Sequence, residues 1–257
     1  MTYKRKKIIG ALLLTVGTLA ATVIWQFEKP GSLVWDNGFK YQTMLNKIGK
    51  TYQHEIPTEQ SKITKLEIDV KDATVEFIKG DKFAVTTYIL SAKDDTKVSF
   101  DAGQLTVKAN GDGRNASNVD FVTGDNKIVI TIPKTRHLST IVAKSSNGDL
   151  DFENIAIKNA TITATNGDIK VEKSEFDNLT AINQNGEIKV KQTRIALGGK
   201  ITNQNGDIEI KKSHLPKFYV EGKWGEKDIE TSHDLKQSSQ SQAKLVVSNK
   251  NGDIEID

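Results

Sequence analysis

The chain has 257 residues, enough for one or two domains, and it contains no cysteine. The lack of cysteine excludes disulfide bonds, thiol nucleophiles and thiolate metal sites. The net charge is +3, but Lys4, Arg5, Lys6 and Lys7 carry four of the cations, and the other 32 Lys and Arg residues face 33 Asp and Glu residues, which is no nucleic-acid-binding signature.

The N-terminal segment predicts a membrane anchor. Residues 8–25 carry no charge, and as a helix they would span about 27 Å, close to the thickness of a bilayer core. We therefore expect a basic cytoplasmic tail at 1–7, a transmembrane helix at 8–27 and an extracellular remainder, because positive residues stay inside. A cleaved signal peptide is the alternative, since Ala20 or Ala21 could precede a cleavage site.

Residues 28–60 are interpreted as a juxtamembrane linker, broken by Pro30-Gly31 and Asn37-Gly38. Within this linker, residues 39–52 predict a short amphipathic helix that lies on the lipid surface or caps the following domain. The side chains with helical spacing are Tyr41, Met44, Leu45, Ile48 and Tyr52.

Residues 61–257 form a repeating body in which an Asn-Gly turn recurs every 19 or 20 residues over its central part. Such a period is typical of stacked repeats. The repeated turns are Asn147-Gly148-Asp149, Asn166-Gly167-Asp168, Asn185-Gly186-Glu187 and Asn205-Gly206-Asp207, with a further copy at Asn251-Gly252-Asp253. Gly80, Gly103, Gly124 and Gly225 extend the spacing, so one repetitive domain is expected.

Apolar residues recur at fixed distances from each turn glycine, and these columns are the predicted core. Residues between them are polar, which is the alternation of strands with one buried face. Seven residues before the glycines stand Ile141, Ala160, Leu179, Gly199 and Phe218; five before stand Ala143, Ile162, Ala181, Ile201 and Val220. Two after stand Leu150, Ile169, Ile188 and Ile208; four after stand Phe152, Val171, Val190 and Ile210.

The predicted fold is all-β, a single-stranded β-helix or solenoid of 19–20-residue coils; an antiparallel β-meander fits the same periodicity. The solenoid is favoured because the units share polar residues as well as core residues. In a parallel stack, Asn147, Asn166, Asn185 and Asn205 would form an amide ladder, with each side chain bonded to its copies above and below. About ten coils, each about 4.8 Å thick, would make a rod of about 48 Å.

The stretch Lys127-Ile-Val-Ile-Thr-Ile-Pro133, then Leu138-Ser-Thr-Ile-Val142 and the successive Asn-Gly-Asp-Ile turns, resembles the DUF4097 family of adhesin-like bacterial surface proteins. The resemblance covers roughly residues 63–257 and departs from the pattern between Ser213 and Leu245. It implies a β-helix-like solenoid, extracytoplasmic placement, membrane anchoring and, in some members, association with cell-envelope stress. It implies no catalytic residue.

The carboxylates of Asp149, Asp168, Glu187 and Asp207 would line one edge of a solenoid. Neighbouring carboxylates can bind calcium or cleave glycans. The favoured interpretation is that they complete the turns and are neutralised by Lys170, Lys189, Lys211 and Lys212. We therefore assign no catalytic, cofactor-binding or metal-binding residue, and expect no cofactor.

Trp224 replaces asparagine in its turn, and with Phe218 and Tyr219 it offers an aromatic glycan platform or, as we favour, core packing or a coil cap. The predicted function is that of a non-enzymatic, membrane-anchored surface protein that binds an unknown envelope glycan or protein, and no nucleic acid. A glycan-active β-helix enzyme and a purely structural spacer are the alternatives.

Overall fold

The computed structural model describes residues 31–35, 39–43, 50–56, 58–89, 94–110, 126–134, 138–230 and 237–257. The chain divides into two compact units, one of residues 1–49 and 114–124 and one of residues 50–113 and 125–257. Within the described ranges, no helix is both long enough and apolar enough to cross a membrane. The predicted anchor at residues 8–27 lies outside these ranges.

Strands dominate the described residues, and we number them in chain order. The first eleven are β1 Gly31–Trp35, β2 Phe39–Thr43, β3 Lys50–His54, β4 Lys65–Val70, β5 Thr74–Gly80, β6 Ala84–Ile89, β7 Lys97–Asp101, β8 Gln104–Ala109, β9 Lys127–Pro133, β10 Thr140–Asn147 and β11 Leu150–Glu153. The next ten are β12 Ala156–Asn166, β13 Ile169–Glu172, β14 Glu175–Asn185, β15 Ile188–Lys191, β16 Arg194–Asn205, β17 Ile208–Lys211, β18 Phe218–Trp224, β19 Lys227–Ile229, β20 Leu245–Asn251 and β21 Ile254–Ile256.

The helix expected at residues 39–52 is wrong at both of its described ends. In the first unit, β2 pairs with β1 as an antiparallel hairpin, with Trp35 opposite Phe39. In the second unit, β3 pairs antiparallel with β6. The alternation Phe39, Tyr41 and Thr43 has the period of a strand as well as part of the helical spacing, so sheet pairing decides the outcome.

The second unit is a solenoid built from two sheets. The nine-stranded sheet has the order β18-β20-β16-β14-β12-β10-β4-β8-β7, and the ten-stranded sheet has the order β19-β21-β17-β15-β13-β11-β5-β9-β6-β3. Strands from equivalent places in successive repeats pair in parallel, for example β12 with β14 and β13 with β15. Parallel pairing of this kind confirms the solenoid and excludes the meander.

One coil shows how the sequence makes the fold. The strand Glu175–Asn185 runs in the first sheet, turns at Gly186 and continues as Ile188–Lys191 in the second sheet. Gly186 has φ +124°, and a Cβ there would collide with the carbonyl oxygen of Gly167 in the neighbouring coil. Only glycine therefore allows the coils to stack this closely at the turn.

The second corner of the coil is held by hydroxyl groups. Ser174 Oγ donates to the carbonyl oxygen of Glu172 and accepts a hydrogen bond from the backbone N–H of Ile155 in the neighbouring coil. Thr193 and Ser213 repeat this pattern in the next coils. This hydroxyl column was not among the features expected from the sequence.

The core lies between the two sheets as one continuous hydrophobic cluster. All the apolar side chains of the four predicted columns are buried, which confirms that part of the prediction. Phe77 and Phe152, whose strands are adjacent, stack with ring centroids 4.1 Å apart. Burial of the aliphatic columns, at about 25 cal/mol per Å² of apolar surface, is the main stabilising term of the stack.

The spatial order of the coils differs from their order in the chain. The C-terminal coil, β20–β21, lies between β16–β17 and the outer coil β18–β19. At the other end, β10–β11 stacks on β4–β5, and β8–β9 lies on the opposite side of β4–β5.

The described part of the solenoid contains eight parallel coils, so the expectation of about ten is wrong. Gly80 ends β5 and Gly103 belongs to the turn between the antiparallel strands β7 and β8, so neither is a coil turn. Gly124 lies outside the described residues. Equal spacing in the sequence therefore overestimated the number of repeats in the N-terminal half.

Candidate functional site

The predicted amide ladder is present. Asn166, Asn185, Asn205 and Asn251 each donate from Nδ2 to Oδ1 of the asparagine in the adjacent coil, at 2.7–2.9 Å. Asn147 begins the ladder by donating to Oδ1 of Asp72 at 2.6 Å. The ladder joins six coils along one edge, and the carboxylates that follow each glycine lie next to it in the sequence.

These carboxylates, Asp149, Asp168, Glu187, Asp207 and Asp253, form what we call the turn column. Its aspartates accept hydrogen bonds from the backbone of the adjacent coil: Asp149 Oδ1 from the N–H of Asp168 at 2.8 Å, and Asp168 Oδ1 from the N–H of Glu187 at 2.9 Å. Asp207 and Asp253 bond in the same way to the next coils in space. The expected turn-completing role is therefore observed.

Lysines neutralise part of the turn column, as expected. Lys170 Nζ lies 3.1 Å from Asp149 Oδ2 and 3.7 Å from Asp168 Oδ2. Burial disfavours its charge, but the hydrogen bond to Asp149 and the surrounding carboxylates raise the pKa of Lys170. Lys189 pairs with Glu187, and this bond is the main cause of the raised pKa of Lys189.

The other two predicted lysines act elsewhere. Lys211 Nζ contacts Glu209 at 2.8 Å and Glu255 at 2.9 Å, and neither belongs to the turn column. The hydrogen bond from Lys211 is the main cause of the lowered pKa of Glu209; burial opposes this shift, and the hydrogen bond from Lys191 adds to it. The backbone N–H of Lys212 contacts Asp257. The outer face of the ten-stranded sheet thus carries several ion pairs.

A groove on this charged face was not found from the sequence. The groove has a volume of about 260 Å³. We call it the acidic groove and define it by its outward-facing side chains. These are Glu76, Ile78, Asp151, Glu153, Lys170 and Glu172. Glu76 and Asp151 are 75 residues apart in sequence but are paired positions on adjacent strands.

Asp151 has the most perturbed carboxyl group of the groove. Burial raises its pKa to about 6; Lys170 opposes the shift, and the carboxylates of Asp149 and Glu76 add to it. Asp151 Oδ1 is shielded from solvent without a hydrogen-bond partner, with Lys170 Nζ 4.0 Å away. Two carboxyl groups on adjacent strands, one of them with a raised pKa, are part of what acid–base cleavage of a glycan requires.

The histidines and carboxylates offer little for metal binding. In the ranges that the structure describes, no group of three or more His, Asp or Glu side chains is placed to hold a metal ion. His54 Nε2 lies 3.0 Å from Asp94 Oδ2 and 3.2 Å from Thr87 Oγ1. His214 is exposed, and His137 and His233 lie outside the described residues.

The outer face of the nine-stranded sheet has a different character. Its central part carries Thr161 and Thr163 on β12, Thr180 and Ile182 on β14, Thr202 on β16 and Ser248 on β20, and we call these the Thr-Ser face. The Thr202 and Ser248 hydroxyl oxygens lie 3.0 Å apart, and Ile182 is 38% exposed. Lys144 and Lys200 flank this uncharged region.

Trp224 is 64% exposed, so it does not pack in the core as one of the favoured alternatives required. It stands opposite Asn251 on the outer strand, at the position that an asparagine occupies in the other late coils. Trp224 therefore ends the amide ladder, which agrees with the coil-cap interpretation. Phe218, by contrast, is fully buried.

The chain is similar to one protein family and to solved structures of two other proteins. The family model described as Toastrack DUF4097 matches residues 63–257. A structure of a proposed cell adhesion protein from Clostridium sporogenes has a TM-score of 0.47 at 13% identity, covering 81% of this chain and 98% of that one. A proposed adhesin from Bacteroides fragilis has a TM-score of 0.47 at 14% identity, covering 81% and 96%. No curated protein matches the chain.

Proposed function

The chain belongs to the Toastrack DUF4097 family, and from that premise we propose that it is a non-enzymatic, adhesin-like binding module of the cell surface. The observation that carries the proposal is the use of the turn column. Its aspartates are hydrogen-bond acceptors for the adjacent coil, and Lys170 and Lys189 pair with the column. These groups hold the stack together, so they are not poised for chemistry.

The Thr-Ser face is the proposed contact surface. It is extended, it displays hydroxyl groups at the repeat of the coils, and it includes the exposed Ile182. Stacked repeats present such surfaces to extended ligands. An envelope glycan is the ligand class we favour, because its hydroxyl groups can exchange hydrogen bonds with a row of Thr and Ser side chains.

Placement at the membrane is part of the proposal. Support comes from the uncharged residues 8–25 and the four cations before them. We propose a single span with the solenoid outside the cell, acting as an adhesin-like protein or as an accessory to the envelope-stress response. Protease added to intact cells should degrade the solenoid; complete protection would contradict this orientation.

Binding can be tested with full-length protein in detergent and insoluble peptidoglycan. The protein should sediment with the glycan, and the pair Thr163→Glu and Thr202→Glu should weaken binding at least about tenfold, since charges replace the uncharged face. Lys158→Glu, on the exposed corner of β12, is the control. No sedimentation would argue against a glycan ligand and favour a protein partner or a structural spacer.

Glycan hydrolysis is the second candidate function, and the acidic groove favours it. Asp151, with its raised pKa, would be the general acid and Glu76 the opposing carboxylate. Release of soluble sugar by the wild type that is lost in both Glu76→Gln and Asp151→Asn would replace the binding proposal. Loss in Asp168→Asn and Glu187→Gln would instead assign catalysis to the turn column.

A further inference from the structure

Asn-Gly pairs are prone to spontaneous deamidation, and the amide ladder is built from such pairs. In a flexible chain, the backbone nitrogen of glycine attacks Cγ of the preceding asparagine. The N–Cγ bond forms, the Cγ–Nδ2 bond breaks, and ammonia leaves with the proton that glycine loses. Water then opens the cyclic imide to aspartate or isoaspartate. The ladder contains five such pairs, at Asn147, Asn166, Asn185, Asn205 and Asn251.

The stack blocks this reaction at both reacting groups of the inner pairs. The glycine N–H groups of Gly148, Gly167, Gly186 and Gly206 donate to carbonyl oxygens of the adjacent coil at 2.9–3.0 Å. The leaving amide of each inner asparagine is also fixed, because its Nδ2 donates along the ladder and its Oδ1 accepts from the next asparagine. Attack therefore requires that a coil first separates from its neighbour.

The side chain of Asn251 has a ladder partner on one side only. Its Nδ2 donates to Asn205 Oδ1 at 2.7 Å, but Trp224 stands where the next ladder asparagine would be. The N–H of Gly252 donates to the carbonyl oxygen of Trp224 at 2.9 Å. Protection of this pair thus depends on the outer coil β18–β19 remaining docked.

We expect the outer coil to separate more readily than the inner coils. Within the described ranges, β18 pairs with β20 and has one further bridge from Phe218 to Gln237, while β19 pairs with β21. A terminal repeat has one neighbour instead of two and therefore opens at lower free energy than the inner repeats.

We propose that, among the pairs of the amide ladder, Asn251-Gly252 is the site of spontaneous deamidation in the folded chain, and that the outer coil controls its rate. The product lacks the Nδ2 donor and places a carboxylate, or an inserted methylene of isoaspartate, at the end of the ladder. The bond to Asn205 is then lost. Deamidation therefore marks irreversibly those molecules in which the outer coil has opened.

The test uses the full-length protein at mildly alkaline pH, with peptide mapping by mass spectrometry over time. The denatured chain supplies the reference rate for each pair. We expect Asn166 and Asn185 to react at least about 100-fold more slowly in the folded chain than in the denatured chain. Asn251 should react fastest of the five in the folded chain.

A variant separates the outer coil from the rest of the stack. Phe218→Ala removes a fully buried anchor of β18 and should raise the Asn251 rate at least about tenfold while Asn166 and Asn185 stay slow. Should this variant unfold the whole stack, so that all five sites react at the reference rate, Val220→Ala replaces it. The proposal is overturned if Asn251 is no faster than Asn185, or if loosening β18 leaves its rate unchanged.

Discussion

Nδ2 of Asn185 donates a hydrogen bond to Oδ1 of Asn166 at 2.9 Å, although the two residues are 19 positions apart. The same relationship holds at each step of the ladder, including the step from Asn205 to Asn251, which are 46 positions apart. Contact between identical side chains is therefore a property of the stack and does not depend on the length of chain between them.

The first prediction concerns this ladder. Asn166→Ala removes one hydrogen bond above and one below, and should lower the free energy of unfolding by about 1–2 kcal/mol in urea denaturation. Lys158→Ala, on the exposed corner of the same strand, should change it by less than about 0.5 kcal/mol. Equal midpoints for the two variants would show that the amide ladder contributes nothing to stability.

The second prediction concerns the turn glycines. Gly186→Val forces a positive φ on a β-branched residue and places its Cβ against the Gly167 carbonyl oxygen. We expect the free energy of unfolding to fall by at least about 3 kcal/mol, as measured by thermal or urea unfolding. Gly222→Ala is the matched control, because its nearest neighbour is the flexible side chain of Lys227 at 3.3 Å. A Gly186→Val protein as stable as the control would contradict the observed packing.

The third prediction separates a hydrogen-bond acceptor from a metal ligand. Asp168 Oδ1 accepts the N–H of Glu187, and an asparagine oxygen can accept the same bond. Asp168→Asn should therefore lower the free energy of unfolding by less than about 1 kcal/mol, whereas Asp168→Ala should lower it by about 1–2 kcal/mol, both measured by urea denaturation. If calcium raised the melting temperature of the wild type, and Asp168→Asn abolished the effect, the turn column would be a metal site.

The fourth prediction concerns pH. The folded pKa of Asp151 is about 6 and its ordinary value is 3.8, so the folded chain binds the proton more tightly than the unfolded chain. This contribution to stability is present below about pH 4 and is lost as pH rises through 6. At pH 7.5 the free energy of unfolding of Asp151→Asn should exceed that of the wild type by about 1–2 kcal/mol. This value is smaller than the full pKa shift implies, because the side chain is 31% exposed and solvent screens its charge.

The comparison must be repeated at acidic pH to assign the effect to ionisation. Near pH 4 the wild-type carboxyl group is largely protonated in the folded chain, so the advantage of Asp151→Asn should shrink toward zero. An advantage of the same size at both pH values would point to altered packing in the groove.

The fifth prediction follows from the position of the C-terminal coil. Deleting residues 245–257 removes β20 and β21, which pair with the outer coil β18–β19. Residues 218–229 should then become accessible to limited proteolysis, while β12–β15 stay protected. Trp224→Ala, which alters an exposed side chain of the same coil, should leave the cleavage pattern unchanged. Protection of residues 218–229 in the truncated chain would show that the order of the outer coil does not depend on β20 and β21.

Several features were readable from the sequence because they are local or periodic. The four apolar columns, the asparagine ladder and the pairing of Lys170 with its neighbouring carboxylates all follow from a constant number of residues per coil. The short helix at residues 39–52 was predicted wrongly because Tyr41 fits both the helical spacing and the strand alternation with Phe39 and Thr43. Pairing with β1 decides between them.

By itself, the sequence determined which residues of the four columns face the core, which residues turn the central and C-terminal coils, and that like residues stack on like. Only the tertiary structure decided the order in which the coils stack, and with it the acidic groove between Glu76 and Asp151 and the insertion of the C-terminal coil. The physical reason is that parallel coils present equivalent edges, so the repeat pattern specifies how any two coils pair but not which two become neighbours. The segment between β17 and β20 is long enough for the C-terminal coil β20–β21 to pack directly on β16–β17, with the outer coil β18–β19 beyond it.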